Sequence, residues 1–134
     1  MTTATLERTA PAAAMSITEI EAFLYAEARA LDDRDWDTWL TFYHQDCPFW
    51  MPAWDDYDEL TEDPQNEVSL MFYPDRAGIE DRVFRIKTDR SSATSLPEPR
   101  TNHNLSNIEV LSQEGPEIKL RFNWSTLSYR YGMT

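Results

Sequence analysis

The chain has 134 residues, which suits one domain that buries roughly two-thirds of its unfolded surface. Its 24 Asp and Glu outnumber its 12 Lys and Arg, and the net charge of −12 disfavours nucleic acid and anionic membranes as partners, because their phosphates would be repelled. A single cysteine, Cys47, excludes an internal disulfide, and no signal peptide or apolar run of about 18 residues is present, so we expect a soluble, cytoplasmic protein.

Residues 1–15 are predicted to be a mobile N-terminal tail, and residues 16–134 are predicted to form a single α+β domain. Ser16 followed by Glu19 is a capping box, in which each side chain bonds an otherwise unpaired backbone amide of the other residue. A helix is therefore expected from there to about Leu31. Apolar residues follow at helical spacing: Ile17, Ile20, Phe23, Leu24, Ala28 and Leu31.

A second, short helix is expected to end near His44. Three carboxylates stand before it, where negative charge complements the positive end of a helix: Asp32, Asp33 and Asp35. The side chains predicted to share one face of this helix are Trp36, Trp39, Leu40 and Tyr43.

Residues 47–52 are a brief apolar run that contains Pro48 and Pro52, which favours a strand that lies at a sheet edge or ends there. Cys47 is interpreted there as a small buried side chain rather than a reactive thiol. Residues 53–67 follow as an acidic stretch, with these carboxylates close together: Asp55, Asp56, Asp58, Glu59, Glu62 and Asp63. A solvated loop is favoured over a metal-binding or partner-docking role, and the missing glycine at the sharp turn excludes an EF-hand.

A strand is predicted over residues 68–73, followed by a helix that is capped near Asp75 and runs to about Thr88. Its apolar residues are Ile79, Val83, Ile86 and, less regularly, Phe84. Residues 89–99 are rich in serine and proline, so a loop is expected.

Two strands are predicted at the end of the chain, over residues 101–111 and 118–127, joined by a turn at residues 114–116. In the second strand one face carries Ile118, Leu120, Phe122 and Trp124, which indicates a half-buried antiparallel strand. Helices followed by hairpins predict an α+β domain with helices packed on one face of a curved sheet. The last strand has no following partner, so we expect either a truncated sequence, which we favour, or another chain that completes the sheet.

Basic side chains are concentrated between residues 76 and 100, where half of the Lys and Arg lie: Arg76, Arg82, Arg85, Lys87, Arg90 and Arg100. The planar guanidinium of arginine suits bidentate, partly desolvated pairing with carboxylates. This segment is therefore predicted to stabilise the fold or an interface through ion pairs.

Few residues are suited to catalysis. A Rieske cluster requires two Cys and two His, which one cysteine cannot supply. His44, His103 and Asp46 would satisfy a mononuclear iron site in number, but their separation in sequence favours structural histidines. No phosphate-binding glycine loop and no nucleophile–histidine signature is present. We therefore assign no catalytic, cofactor-binding or metal-binding residue.

An acid or base in an internal pocket is a further chemical option, because apolar walls raise the pKa of a carboxyl group. Residues that could line such a pocket are Tyr25, Trp39, Tyr43 and His103. The interpretation we favour is that the aromatic side chains belong to the core.

Several phrases, taken together and in this order, resemble one protein family. They are Trp36-Asp37-Thr38-Trp39-Leu40-Thr41-Phe42-Tyr43, Asp81-Arg82-Val83-Phe84-Arg85-Ile86, Pro99-Arg100-Thr101-Asn102-His103 and Ser106-Asn107-Ile108-Glu109-Val110. This set resembles the small (beta) subunit of aromatic-ring-hydroxylating dioxygenases. Residues 75–82 and 92–101 are most similar to the branch that acts on benzoate, toluate and anthranilate.

The resemblance implies a cone-like α+β fold of the nuclear transport factor 2-like kind. It implies a non-catalytic structural subunit that forms a trimer beneath a larger alpha subunit, in an alpha3beta3 hetero-hexamer. The alpha subunit would hold a Rieske 2Fe-2S cluster and a mononuclear Fe(II), and it would receive electrons from NADH through a separate reductase. The substrate would be a benzoate-like aromatic carboxylate bound in that subunit. The family continues with further strands beyond the position of Met133.

The residues predicted to form subunit contacts are Arg82, Arg85, Arg100, His103, Trp50, Trp54 and Tyr57. Two other hypotheses remain at this point. A free-standing isomerase, cyclase or dehydratase of the same fold would use a pocket acid or base and would need a deep, partly polar cavity. A ligand-binding module is the other.

Overall fold

A computed structural model describes residues 2–7, 14–90 and 99–130 of the chain. In chain order the elements are β1 (Thr2–Glu7), α1 (Ile17–Asp32), α2 (Trp36–Leu40), β2 (Phe49–Pro52), β3 (Ser69–Tyr73), α3 (Arg76–Arg90), β4 (Arg100–Glu114) and β5 (Glu117–Tyr129). The predicted α+β class is confirmed.

The chain forms two compact units, one of Met1–Asp35 with Pro97–Thr134 and one of Trp36–Leu96. The single domain expected over residues 16–134 stays a prediction.

The first unit is built on a three-stranded antiparallel sheet in the order β1-β5-β4. Helix α1 lies on one face of this sheet. Its apolar stripe meets alternate residues of β5, and the buried cluster consists of Ile20, Leu24, Ile118, Leu120 and Phe122. Alternation along a strand points these β5 side chains to the same side, so one helix is enough to remove them from water.

The start of α1 forms as its sequence predicts. Ser16 Oγ accepts a hydrogen bond from Glu19 N at 3.2 Å, and the Glu19 carboxylate accepts one from Ser16 N at 3.5 Å. The capping box is therefore confirmed. The helix ends at Asp32, one residue beyond the expected Leu31.

Strands β4 and β5 form a long hairpin closed by Gly115 and Pro116. Gly115 has φ +58°, a conformation that glycine adopts without steric cost at the first central position of a tight hairpin turn. The ladder shifts register between Ser106 and Glu109, where Asn107 has φ 55°. This bulge bends β4. The strand ends at Glu114, three residues beyond the predicted end at Leu111.

The second unit holds a two-stranded antiparallel hairpin of β2 and β3, with helices α2 and α3. Helix α3 begins where Asp75 Oδ1 accepts a hydrogen bond from Ala77 N at 2.9 Å, so the predicted cap is confirmed. Ile79 and Val83 are buried, whereas Phe84 is 69% exposed, because it lies about 100° around the helix from Val83.

Helix α2 is shorter than predicted. It ends at Leu40, and the backbone then continues with tighter i to i−3 bonds, including Phe42 N to Trp39 O at 3.1 Å and Tyr43 N to Leu40 O at 3.2 Å. Such bonds satisfy carbonyls that a short helix leaves unpaired at its end. The expected end near His44 is therefore wrong for the α-helix itself.

Aromatic rings fill the second unit. Trp39, Tyr43 and Phe49 contact one another edge to face, with ring centroids 5.1–6.4 Å apart, and Tyr73 adjoins Phe49. Gly78 is needed beside this group, since a Cβ atom at that position would lie 2.3 Å from the Tyr73 ring. The helix can approach the hairpin this closely only without a side chain there.

Two expectations about the sheet of the first unit are corrected. Thr2–Glu7 is strand β1 and pairs with residues 117–122, so the β5 edge that was expected to be open is partly covered. The mobility predicted for residues 1–15 stays a prediction. Trp124 is exposed, because the cluster beneath α1 ends at Phe122.

The predictions for residues 8–13, 91–98 and 131–134 lie outside the described residues. Within the described ranges, no helix is long and apolar enough to cross a membrane.

Replacing Leu120 with alanine tests the seam between α1 and β5. Leu120 is fully buried, so the variant should lose about 2–5 kcal/mol of unfolding free energy, from lost transfer energy and the cavity left behind. Leu127→Ala is the matched control on the same strand, where the side chain is 68% exposed, and it should change stability by less than about 0.5 kcal/mol. Urea unfolding of both variants checks this, and equal losses would contradict the assigned core.

Candidate functional site

The residues predicted for subunit contacts lie at different places in the structure. Arg100 and His103 belong to the first unit; Arg82, Arg85, Trp50, Trp54 and Tyr57 belong to the second. Their side chains are exposed except for that of His103, which is half-buried. The structure therefore separates them into a polar pair on β4, two cations on α3 and a group of aromatic residues near the β2–β3 hairpin.

Helix α3 uses some of its cations within its own unit. The Arg76 guanidinium pairs with Glu80 at 2.7 Å and donates to Tyr43 O at 3.1 Å, and Lys87 pairs with Asp37 at 2.5 Å. These contacts tie α3 to α2 and to the turn that follows it. Among the described residues, Arg82 and Arg85 make no ion pair, so only part of the basic segment stabilises the protomer.

The acidic stretch, residues 53–68, is an ordered connection between β2 and β3, which we call the tip loop. Asp55 Oδ1 accepts hydrogen bonds from Tyr57 N at 2.8 Å and from Glu59 N at 2.9 Å. The Asp55 amide in turn donates to Glu59 O at 2.7 Å. A carboxylate that bonds backbone amides two and four residues ahead closes a turn, so Asp55 shapes the loop.

Thr61 is the buried polar residue of the tip loop. Its Oγ1 accepts a hydrogen bond from Ala53 N at 3.0 Å and lies within donating distance of Ala53 O at 2.9 Å and Val68 O at 2.8 Å. One hydroxyl thus joins the beginning of the loop to its end. This role could not be predicted from the sequence, since an isolated threonine in an acidic loop has no distinguishing pattern.

Two further carboxylates complete the frame of the loop. Glu67 Oε1 accepts from Glu62 N at 3.2 Å and Asp63 N at 3.0 Å, and Asp63 accepts from Gln65 N at 2.9 Å and from the Asn66 side chain at 2.7 Å. Hydrogen bonds from the Asn66 amide group, followed by the Gln65 backbone amide, lower the pKa of Asp63. These acidic side chains therefore accept hydrogen bonds from backbone amides of the loop.

Apolar side chains project from this frame into solvent. Trp54 is 71% exposed and Tyr57 is 86% exposed. Three more large apolar side chains of the tip loop and of β3 are also exposed: Leu60, Val68 and Leu70. Trp50, at the base of the loop, is fixed by a hydrogen bond from its Nε1 to Ser69 Oγ at 2.9 Å. A rigid frame that presents aromatic groups is typical of a protein-binding surface.

In the first unit, Asp32 joins the end of α1 to the start of β4. Its carboxylate accepts hydrogen bonds from Thr101 Oγ1 at 2.9 Å, from His103 N at 3.0 Å and from His103 Nδ1 at 2.5 Å. The ring nitrogen is the donor in the last bond because an ionised carboxylate only accepts. Burial by itself raises the pKa of Asp32, but the bonds from His103 and Thr101 outweigh it and lower the pKa below its usual value of 3.8.

This pairing is a role that was not expected for either residue, and the subunit contact predicted for His103 stays a prediction. His103 was predicted to form subunit contacts, and the structure places its imidazole in a bond within the first unit. Asp32 was predicted only to precede the second helix. Sequence reasoning missed the pair because its members lie 71 positions apart.

The histidines considered for an iron site are both bonded to protein groups. His44 Nδ1 accepts a hydrogen bond from Asp46 N at 3.1 Å, and His103 bonds Asp32. Over residues 14–88 and 99–130, no group of three or more His, Cys, Asp or Glu side chains is arranged to hold a metal ion. Cys47 is half-buried, with its Sγ 3.3 Å from Pro48 O.

The residues considered for a catalytic pocket lie in different surroundings from one another. Tyr25 is exposed, Trp39 is buried against the Tyr43 ring, and His103 is paired with Asp32. A shallow depression of about 200 Å³ lies on the hairpin of β4 and β5. It is lined by Arg100, Thr101, Asn102, Leu127, Ser128 and Tyr129. This lining includes no carboxylate or imidazole that could act as acid or base.

Comparison with known proteins gives one consistent result. The family described as ring hydroxylating beta subunit matches residues 26–134. The beta subunit of benzoate 1,2-dioxygenase from Acinetobacter baylyi is 64% identical over 117 residues, which cover 87% of this chain and 69% of that protein. The beta subunit of toluate 1,2-dioxygenase from Pseudomonas putida is 58% identical, over 87% of this chain and 72% of that one.

A solved structure is similar in fold as well. The crystal structure of the beta subunit of benzoate 1,2-dioxygenase from Burkholderia mallei has a TM-score of 0.77 and 51% sequence identity, and the match covers 91% of this chain and 74% of that chain. The sequence comparison and the structure comparison therefore match the same kind of protein, the beta subunits of dioxygenases.

Asp32→Asn tests the link between α1 and β4. The variant should unfold with about 1–2 kcal/mol less free energy near neutral pH, because charge-assisted bonds are replaced by neutral ones. The folded-state pKa of Asp32 lies below its value in the unfolded chain, so this contribution is present above about pH 4 and is lost as the pH falls through the folded-state pKa. Urea midpoints from pH 2 to 7 measure it, with the exposed neighbour Asp33→Asn as control. A deficit that is the same at every pH would contradict the assignment.

Thr61→Val tests the frame of the tip loop. The change keeps the shape of the side chain but leaves Ala53 N–H unpaired in a buried place, so stability should fall by about 1–3 kcal/mol. Thr41→Val, which removes an exposed hydroxyl bonded to Thr38 O, should cost less than about 0.5 kcal/mol. Thermal and urea unfolding of the two variants compare them; similar losses would show that Thr61 does not fasten the loop.

Proposed function

This chain belongs to the family of ring hydroxylating beta subunits, and from that membership we propose that it is the non-catalytic structural subunit of a dioxygenase that acts on benzoate-like aromatic carboxylates. The observation that carries the proposal is the match to beta subunits of benzoate and toluate 1,2-dioxygenases over most of the chain. It is a subunit of an oxidoreductase, and its own contribution is to binding and assembly.

The chemistry of the reaction is assigned to the large subunit. A Rieske 2Fe-2S cluster takes two cysteine and two histidine ligands, and this sequence has one cysteine. In the described part of the chain, no group of three or more His, Cys, Asp or Glu side chains is arranged to hold a metal ion. We therefore place the cluster, the mononuclear Fe(II) and the substrate in the alpha subunit, with NADH supplying electrons through a separate reductase.

The assembly proposed is three alpha and three beta subunits, in which the beta subunits form a trimer. The exposed aromatic side chains of the tip loop and the unpaired arginines of α3 support a protein partner, since such groups dominate the energetics of protein interfaces. We place the assembly in the cytoplasm, where the single cysteine would stay reduced. Nucleic acid and membrane are not expected as partners of a chain with net charge −12.

The alternative of a free-standing isomerase, cyclase or dehydratase is not retained. It requires a pocket with an acid or base, and in the described part of the chain the depression on β4 and β5 has neither in its lining. The relatives reported above are named as dioxygenase subunits.

Co-expression with the large (alpha) subunit of a benzoate dioxygenase tests the proposal. We expect the two chains to co-elute, and oxygen and NADH consumption with benzoate to require both chains and a reductase. Omitting this chain should abolish assembly of the complex and reduce activity at least about tenfold, because a subunit that orders its partner stabilises it by mass action. Benzene, which lacks the carboxylate, serves as the control substrate.

Two results would overturn the proposal. One is oxygenation of benzoate at the full rate by the large subunit without this chain. The other is turnover of any substrate by this chain alone. A preference for benzene over benzoate would overturn the assigned substrate class and leave the structural role standing.

A further inference from the structure

The tip loop exposes apolar side chains and carboxylates that alternate along its sequence. Its exposed side chains include Trp54, Tyr57 and Val68. Residues 53–68 contain seven carboxylates and no lysine, arginine or histidine. Asp55, Asp63 and Glu67 bond the backbone of the loop, which leaves other carboxylates exposed around the aromatic residues: Asp56, Asp58, Glu59 and Glu62. A surface that fits the tip loop carries exposed apolar and basic side chains together.

Helix α3 of the same chain offers such a surface. Phe84 is among its exposed side chains, and Arg82 and Arg85 follow each other at the i, i+3 spacing that places two side chains side by side. In the described part of α3 the other cations already have partners, Arg76 with Glu80 and Lys87 with Asp37. The two arginines are thus available for bidentate pairing with carboxylates.

Within one protomer the two surfaces are not joined. The tip loop leaves the hairpin at the Pro52–Ser69 pair, whereas α3 follows the Phe49–Tyr73 pair at the other end of the hairpin. No ion pair links Arg82 or Arg85 to a tip-loop carboxylate in the described residues. Complementary surfaces of one chain that do not meet in the protomer fit a contact between copies.

We propose that the small subunits associate head to tail, with the tip loop of one copy seated on α3 of the next. This inference rests on the proposed function in that it identifies the surfaces of the beta-subunit trimer. The contact is heterologous, because one copy contributes its tip loop and the neighbouring copy contributes its helix α3. With three copies around an axis, every tip loop and every α3 is covered and the ring closes. Tyr57 and Trp54 are the apolar anchors, and Arg82 and Arg85 pair with Asp56 and Glu59.

Charge exchange between the two surfaces is the test. Asp56→Lys with Glu59→Lys, and separately Arg82→Glu with Arg85→Glu, each place like charges opposite one another. Each pair of changes should weaken self-association of the full chain about tenfold or more, measured as the dissociation constant by sedimentation equilibrium. Combining all four changes exchanges the charges and should restore association to near the native value.

The controls separate this contact from general charge effects and from folding. Asp33→Lys with Glu114→Lys changes the net charge by the same amount at exposed positions outside both surfaces, and it should leave association unchanged. Circular dichroism monitors folding of every variant. Trp54→Ala with Tyr57→Ala, which alters no charge, should also weaken association.

Three outcomes overturn the inference: no self-association of the native chain, native-like association of either charge-reversed variant, or failure of the combined variant to recover. Co-elution with the large subunit is scored separately. If the combined variant restores self-association but the native chain never binds a large subunit, the head-to-tail contact stands and the proposed function fails. If binding to the large subunit persists without recovery in the combined variant, the function stands and the head-to-tail contact is wrong.

Discussion

The packing of α1 on the hairpin of β4 and β5 is the contact on which the first unit depends. Ile20 and Leu24 on the helix and three alternate residues of β5 exclude water from a single apolar seam. The strand is held in place on both sides, by β1 along its first half and by β4 along its length. The helix is held at both ends, by the capping box at Ser16 and by the carboxylate of Asp32. The long hairpin thus has a fixed surface against which to fold.

The second unit uses its polar residues differently. In the tip loop, carboxylates and one buried hydroxyl add to a single antiparallel bridge between Trp54 and Leu60, so that the loop keeps its shape with little regular structure. This division of roles explains how so acidic a segment can be ordered. Like charges repel one another, but several of them accept hydrogen bonds from backbone amides, and these bonds offset the repulsion. The remaining carboxylates and the aromatic side chains are left for contacts outside the protomer.

The sequence predicted those elements whose signals are local. The capping box at Ser16 and Glu19, the alternation of Ile118, Leu120 and Phe122, and the turn at Gly115 depend on neighbouring residues, and each is found in the structure. Strand β1 was missed because its stability comes from pairing with a strand more than 100 positions away, and residues 2–7 lack a distinctive pattern.

The candidate site was predictable only in part. The exposure of Trp54, Tyr57 and the α3 arginines follows from their type and from the acidic or helical context. The pairing of Asp32 with His103 does not, since nothing in either local sequence points to the other residue. Phe84 departs from the helical spacing of Ile79, Val83 and Ile86, and the structure accordingly leaves it exposed.

The frame of the tip loop has a consequence for how related enzymes remain distinct. The groups that hold its shape are at positions 55, 61, 63 and 67, while positions 56 and 57 take no part with their side chains. Substitutions there would alter recognition without altering the scaffold. A cell that makes several similar oxygenases could therefore keep their subunits from mixing through changes at very few surface positions, and laboratory evolution could use the same freedom to build assemblies that ignore their natural counterparts.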